Sequence, residues 1–165
     1  MIRPAEPRDE TGIRALHVAA FPTPAEASLV ERLAADGDVV ISLVEERQGE
    51  VVGHVLLSRM RVEGDGRSLR ALGLGPAAVL PGWQRSGIGG ALIEGALGIA
   101  KALGEELVFV LGEPEYYQRF GFSAATAAPF ASPYSGPFLM ALALREDLAL
   151  PAGGKADYAP AFGGL

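Results

Sequence analysis

Twelve consecutive residues, Val79-Leu80-Pro81-Gly82-Trp83-Gln84-Arg85-Ser86-Gly87-Ile88-Gly89-Gly90, constrain this chain more than any others. An apolar strand runs into a glycine cluster. A helical pattern runs out of it from Ser86 or Gly87 to Leu103, with Ile88, Leu92, Ala96, Ile99 and Leu103 on one face and Gly104 as its stop. Glycines between a strand and a helix let successive N–H groups turn toward one anion at the positive end of the helix dipole. Two common phosphate loops do not fit. Gly82 and Gly87 stand at P-loop spacing, but Ile88 occupies the lysine position, and a dinucleotide fingerprint would need its third glycine at Leu92.

The rest of the chain supplies the frame for such a loop. Ile2 to Glu6 reads as a short strand, and Asp9 precedes Ile13, Leu16, His17 and Ala20 at helical spacing. Thr23-Pro24-Ala25-Glu26 has the form of a capping box opening a second helix that carries Leu29, Val30 and Leu33 and stops at Gly37. Val39 to Glu46 and Val51 to Val62 are strands joined by a Gln48-Gly49 turn, and Gly64-Asp65-Gly66 leads into a third strand, Leu69 to Leu80. Gly73, Gly75 and Pro76 interrupt that strand, which predicts a bulge or a close approach to its backbone. After the long helix, Glu106 to Leu111 is a buried strand, so strand, loop, helix and strand form a right-handed crossover with two parallel strands. Glu115 to Phe120 is one or two helical turns, residues 123–137 read as loop, Phe138 to Arg145 as the last strand, and Pro151 to Leu165 as a Gly/Pro-rich tail.

Composition narrows the function classes. A chain of 165 residues suits one domain and one core. A net charge of −6 argues against broad attraction to nucleic acid or an acidic membrane, and no apolar run approaches the ~20 residues of a span. The absence of cysteine removes disulfides, thiolate metal sites and a cysteine acyl-enzyme. Nothing in the residues calls for a metal. The first residues lack the apolar core of a signal peptide, which predicts a cytoplasmic location.

Gln84-Arg85-Ser86-Gly87-Ile88-Gly89 resembles the Gln/Arg-x-x-Gly-x-Gly/Ala signature of the GCN5-related N-acetyltransferases (GNAT). With Leu74-Gly75-Pro76 ahead of the loop and Glu113-Pro114-Glu115-Tyr116-Tyr117-Gln118-Arg119-Phe120-Gly121-Phe122 after it, the chain is similar to the bacterial YhbS-like branch of that superfamily over residues 1 to about 147. The resemblance implies an α+β fold: a central, mostly antiparallel twisted sheet with one splayed parallel strand pair and about four helices. It would place a GNAT domain at 1–147 and a tail, 148–165, on or beside it. It also implies acetyl-CoA as co-substrate and the primary amine of a small molecule or peptide as acceptor. The acceptor would enter past Phe21-Pro22-Thr23, Glu26 and residues 130–138. A monomer and a homodimer are both compatible with the sequence.

Carried over residue by residue, Ala78 and Val79 would offer backbone groups to pantetheine, and Arg85, Ser86, Gly87, Ile88, Gly89 and Gly90 would hold the pyrophosphate. Arg85 adds a charge and Ser86 a hydroxyl to a set that is otherwise amides. Tyr117, four residues before Gly121, stands where the family places a tyrosine facing the thioester sulfur. Acyl transfer to an amine needs no enzyme nucleophile; it needs a neutral amine, a polarised carbonyl and a proton for the leaving thiolate, which Tyr117 can supply. Tyr116 is expected to pack or to wall the acceptor pocket. The chain departs from the family in two places: no glutamate lies on the splayed strands, and Val110 stands where an asparagine is usual. The candidates for relaying the amine's proton are Glu113, Glu115, His54 and Glu26, each with a structural alternative in loop solvation, helix-end charge, strand packing or capping, and a water chain is a further route. The alternative to an enzyme is a CoA-binding regulatory module of the same fold.

Overall fold

A computed structural model of the chain describes residues 1–164. The chain divides into two compact units, each built from segments distant in sequence. Among the described residues, one comprises 1–58, 75–96 and 160–164; the other comprises 59–74 and 97–159.

In the first unit β1 (Ile2–Pro4), β2 (Val39–Arg47) and the opening part of β3 (Glu50–Gly64) pair in antiparallel order, and β3 is followed by the closing part of β4 (Arg67–Val79). Ile2 lies opposite Glu45, and Val44 opposite His54. The β2–β3 hairpin turns through Gln48 and Gly49, both at positive φ (53° and 77°), the two-residue turn that matches strand twist. Helix α1 (Glu10–Ala20) lays Ile13 and Leu16 on Val44, Val51 and Ala78. A bidentate bridge from Arg3 to Asp9, 2.7 and 2.8 Å, ties β1 to the start of α1; this partner holds the buried Asp9 carboxyl down at about 2.

Helix α2 (Ala25–Ala35) begins one residue later than the capping-box reading requires. Pro24 occupies the N-cap, and the Thr23 hydroxyl accepts from the nearer Ala25 N–H at 3.3 Å instead of reaching the Glu26 amide. Helix α3 (Ile88–Ala102) buries Ile88, Leu92, Ile93, Ala96 and Ala100. The expected face is correct, but its last turn is open: Ile99 and Leu103 are 38% and 50% exposed. At the other end, Ile88 and Leu92 sit directly over Gly53 of β3, where a Cβ would meet them at 2.8 and 2.9 Å.

In the second unit β4 pairs in parallel with β5 (Leu107–Leu111), from Ala71 opposite Leu107 to Leu74 opposite Val110, and β5 pairs antiparallel with β7 (Leu139–Ala143). The parallel ladder stops there, although β4 runs on to Val79. The mixed, open, mostly antiparallel sheet with a parallel β4–β5 pair is the expected architecture; a second, shorter parallel pair near the end of the chain was not expected. Phe109 and Phe130 meet edge to face at 5.5 Å in a core that includes Met60, Leu107 and Leu139. Glu105 is buried ahead of β5 and bridges Arg59 and Arg70, each at 2.6 Å.

Three short elements were not expected. The stretch 123–137 contains α5 (Ala124–Ala127), capped by Ser123 Oγ accepting from the Thr126 N–H, and β6 (Phe130–Ala131). The segment after Pro151 contains β8 (Gly154–Asp157), antiparallel to β3 and parallel to β6, so β7 is not the last strand. The described residues therefore carry five α-helices, two of them single turns, α5 and α4 (Pro114–Tyr117). Among these residues no helix is long and apolar enough to cross a membrane.

Candidate active site

The head of α3 is built as a row of amides without internal acceptors. After Val79 the chain makes a 3₁₀ turn, Pro81–Trp83, and the side chain of Gln84 reaches back to donate to the Val79 carbonyl at 3.0 Å. Trp83 is braced by the Arg47 guanidinium 5.6 Å from its ring centre, and Ser86 Oγ donates to the Trp83 carbonyl. These contacts fix the loop's stem. Arg85 and Gly87 then take left-handed conformations, φ 63° and 84°, which turn the chain into the helix; at Gly87 glycine meets this geometry without cost. Ala91 N–H closes the first helical bond on Gly87 O at 3.1 Å, so the amides of Gly87, Ile88, Gly89 and Gly90 are those a helix leaves without an internal acceptor.

This places the predicted cofactor residues in three groups. Arg85, Ser86 and Gly87 are exposed, with Ser86 already using its hydroxyl as a donor. Ile88 contributes only its backbone, because its side chain is buried over Gly53; Gly89 and Gly90 are partly exposed. Ala78 is buried against α1 with only its main chain to offer, and one lone pair of the Val79 carbonyl is taken by Gln84. Such a set fits the pyrophosphate of a CoA molecule: consecutive N–H groups at a helix N-terminus, one adjacent guanidinium and no acidic side chain from Val79 to Gly90.

Tyr117 lies on α4, directly after β5. Its ring packs edge to face on Phe122 (5.9 Å) and on Tyr116 (5.0 Å). Burial, with a smaller contribution from Tyr116, pushes the Tyr117 hydroxyl up to about 12, so it is protonated throughout the neutral range. Gly112 makes this position possible: a Cβ there would stand 2.5 Å from the Tyr117 ring. Sequence reasoning missed Gly112, although a glycine ending a buried strand just before Glu113-Pro114 was a visible signal. Tyr116 is held differently, under the Arg119 guanidinium 4.2 Å from its ring centre.

The four candidate proton acceptors separate clearly. Glu113 and Glu115 are exposed, the first at the N-cap of α4 and the second in its first turn. Glu26 is partly buried, and its Oε1 is shielded with no hydrogen-bond partner. His54 is fully buried with its Nδ1 2.9 Å from Nε2 of His17 and its Nε2 2.8 Å from Ser42 Oγ. Burial holds His17 at about 4; burial and the neighbouring His17 hold His54 at about 3, so both rings are neutral at pH 7. His17 was visible in the sequence only as one position of an apolar helix face; the partner that gives it meaning is 37 residues away.

The model of the acetyltransferase (GNAT) domain matches residues 1–125. The chain is similar to the uncharacterized N-acetyltransferase YjhQ of Escherichia coli, 36% identical over 132 residues that cover 78% of this chain and 73% of that protein. It is similar to the uncharacterized N-acetyltransferase YhbS of the same organism, 36% identical over 126 residues, 76% of this chain and 74% of that one. Among solved structures, that of E. coli YhbS in complex with CoA superposes with a TM-score of 0.87 at 30% identity, covering 99% and 91% of the two chains. A GNAT family acetyltransferase from Brucella melitensis in complex with acetyl-CoA superposes with a TM-score of 0.79 at 32% identity, covering 98% and 97%.

Proposed function

The chain belongs to the GNAT acetyltransferase family, and from that premise we propose that it transfers an acetyl group from acetyl-CoA to a primary amine of a small molecule or peptide, by direct attack with both substrates bound. The observation that carries this reading is the row of amides from Gly87 to Gly90 that the helix leaves without an internal acceptor, beside the exposed Arg85. A diphosphate there meets the positive end of a four-turn helix and a guanidinium together. The backbone of Ala78 and Val79 takes the pantetheine arm through main-chain groups at the end of β4.

Tyr117 acts on the departing sulfur. A thiol ionises near 8.5, so a phenol at about 12 surrenders its proton to a thiolate only uphill, by on the order of 5 kcal/mol. Donating a hydrogen bond to the developing thiolate carries no such cost. Tyr117 therefore stabilises the leaving group while it remains protonated, and bulk solvent completes the proton transfer.

Ligand-induced stabilisation tests the reading. CoA at a hundredfold excess over its Kd raises stability by about 2.7 kcal/mol, which for a chain of this size is about 5–10 °C in Tm; ATP and NAD should do much less. No response to millimolar CoA in either thermal shift or calorimetry would refute the assignment of the loop. CoA binding with no consumption of acetyl-CoA across a panel of amines would instead assign the non-catalytic module.

A further inference from the structure

A groove of about 610 Å³, within the range of small-molecule pockets, lies between α1 and α2 in the first unit. It shares no residue with the cofactor set, Ala78 to Gly90, or with Phe21–Thr23, Glu26 and residues 130–138, the stretches assigned above to the acceptor. The groove exists because α2 turns small side chains toward it. Ala27, Ala34 and Ala35 line it, where longer side chains would fill the space between packed helices. Arg14 of α1 and Glu31 of α2, both on its walls, join the two helices through a 2.7 Å bridge.

The floor of the groove is apolar and the rim is acidic. Ile13, Ala27 and Leu56 are buried side chains that line it. Ser42, half-buried beside them, bonds at 2.8 Å to His54, which meets His17 at 2.9 Å. Both rings are neutral at pH 7, because burial holds His17 at about 4 and burial with the neighbouring ring holds His54 at about 3. No positive charge therefore lies behind the Ser42 hydroxyl. Among the described residues that line the groove, the carboxylates are Glu6, Glu10 and Glu31, and the one cation is Arg14, already bridged to Glu31. Glu6 is shared with Arg8 and Arg3. Glu10, in the first turn of α1, makes no ion pair among the described residues.

We propose that this groove binds a small organic ammonium ion, with its aliphatic body on Ile13, Ala27 and Leu56 and its charged head at Glu10 and Glu6. The inference goes beyond the transfer reaction and does not depend on it. Charge selects the ligand's head. An anion would meet three carboxylates against a single guanidinium that is already paired, so the field of the rim repels it. The floor selects its body, since buried aliphatic side chains gain from covering a hydrocarbon chain and would leave a sugar or a second charge without partners. A neutral apolar molecule would satisfy the floor and leave the rim carboxylates unmet. Only a chain that ends in a cation meets both.

Titration calorimetry at pH 7, with no acyl donor present, against n-hexylammonium, 1-hexanol and hexanoate separates the two contributions. Hexylammonium should bind about three- to fivefold more tightly than hexanol, and hexanoate most weakly of the three. Affinity should rise about two- to fourfold for each methylene from butylammonium to hexylammonium, as a longer chain leaves water. Glu10→Gln keeps the shape of the rim and removes its unpaired charge, so hexylammonium affinity should fall by about threefold while hexanol affinity stays the same. Ala34→Leu, at an exposed helical position, fills the groove and should weaken both ligands by about tenfold or more, with the circular dichroism spectrum and CoA affinity as in wild type. Should Ala34→Leu fail to fold, Glu10→Gln decides alone. Equal binding of hexylammonium, hexanol and hexanoate would overturn the proposal. So would hexylammonium binding that neither variant weakens, because the ion would then sit elsewhere, the acceptor site included. Acetylation of an amine by a protein whose groove takes no hexylammonium would strike this site and leave the acetyltransferase reading intact.

Discussion

The loop at the head of α3 and the single turn α4 carry different parts of the proposed chemistry, and they draw on different parts of the polypeptide. The loop offers backbone. Apart from the exposed Arg85, its side chains are absent, buried or tied to neighbours, as with Ile88 over Gly53 and Ser86 on Trp83, and what it mainly presents is a set of N–H groups positioned by φ angles. The α4 turn offers one hydroxyl, and everything around it is aromatic packing that keeps this hydroxyl protonated. A backbone site tolerates sequence change as long as no side chain fills it. A hydroxyl site fails on the loss of one atom. The two should therefore separate cleanly in experiments, binding on one side and turnover on the other.

The largest expected effect lies in the loop. Gly89→Glu places a carboxylate among amides that would otherwise meet a diphosphate. CoA affinity should fall by about a hundredfold or more, since both a cation-like field and the space for the ligand are lost. Gly89 is partly exposed, so the circular dichroism spectrum and the unliganded Tm should remain near wild type. Loss of the fold together with binding would show that the glycine serves helix packing, and would remove the contrast between the two regions.

A smaller effect, of opposite character, is expected at α4. Tyr117→Phe keeps the ring on Phe122 and Tyr116 and removes only the hydroxyl, so kcat and kcat/KM should fall together by about 10- to 100-fold, with CoA affinity within about twofold. Steady-state kinetics paired with calorimetry reads both quantities. A Tyr117→Phe protein with wild-type kcat and weakened CoA binding would make this turn part of the binding surface instead.

How much of this was legible in the sequence follows from the same contrast. The loop was readable because glycine punctuation between an apolar strand and an apolar-striped helix is a local signal; even there the helix starts at Ile88, a residue or two inside the expected boundary, because Gly87 is left-handed. Tyr117 was readable only through the resemblance of its surrounding block. What escaped were relations between distant residues. The clearance that Gly112 gives Tyr117 exists only once β5 ends and the chain turns back. His17 and His54 were both noticed, one as part of a helix face and one as a strand position, but no periodicity pairs α1 with β3. The strand β8 was hidden for another reason: four residues beginning with a glycine carry too little alternation to register, and its backbone partners on β3 and β6 lie more than twenty residues away at the nearest. Gly154 itself shows why glycine stands there, since a side chain would run into the Glu63 carbonyl.

The smallest expected effect is at Tyr116, and it decides whether the α4 turn has been read in the right register. Adjacent residues on a helix point about 100° apart, so only one of the two tyrosines can present its hydroxyl to a given atom. The structure gives Tyr116 a role of its own: its ring lies under Arg119 and meets Phe120 at 5.4 Å, contacts made by the ring face and edge that need no hydroxyl. Tyr116→Phe preserves them all. Stability should move by no more than about 0.5 kcal/mol, and kcat should change by less than about threefold, well below the Tyr117→Phe loss. A crippled Tyr116→Phe beside a silent Tyr117→Phe would assign the thiolate's hydrogen bond to Tyr116. It would also show that the aromatic packing holding Tyr117 over Gly112 serves only to support its neighbour.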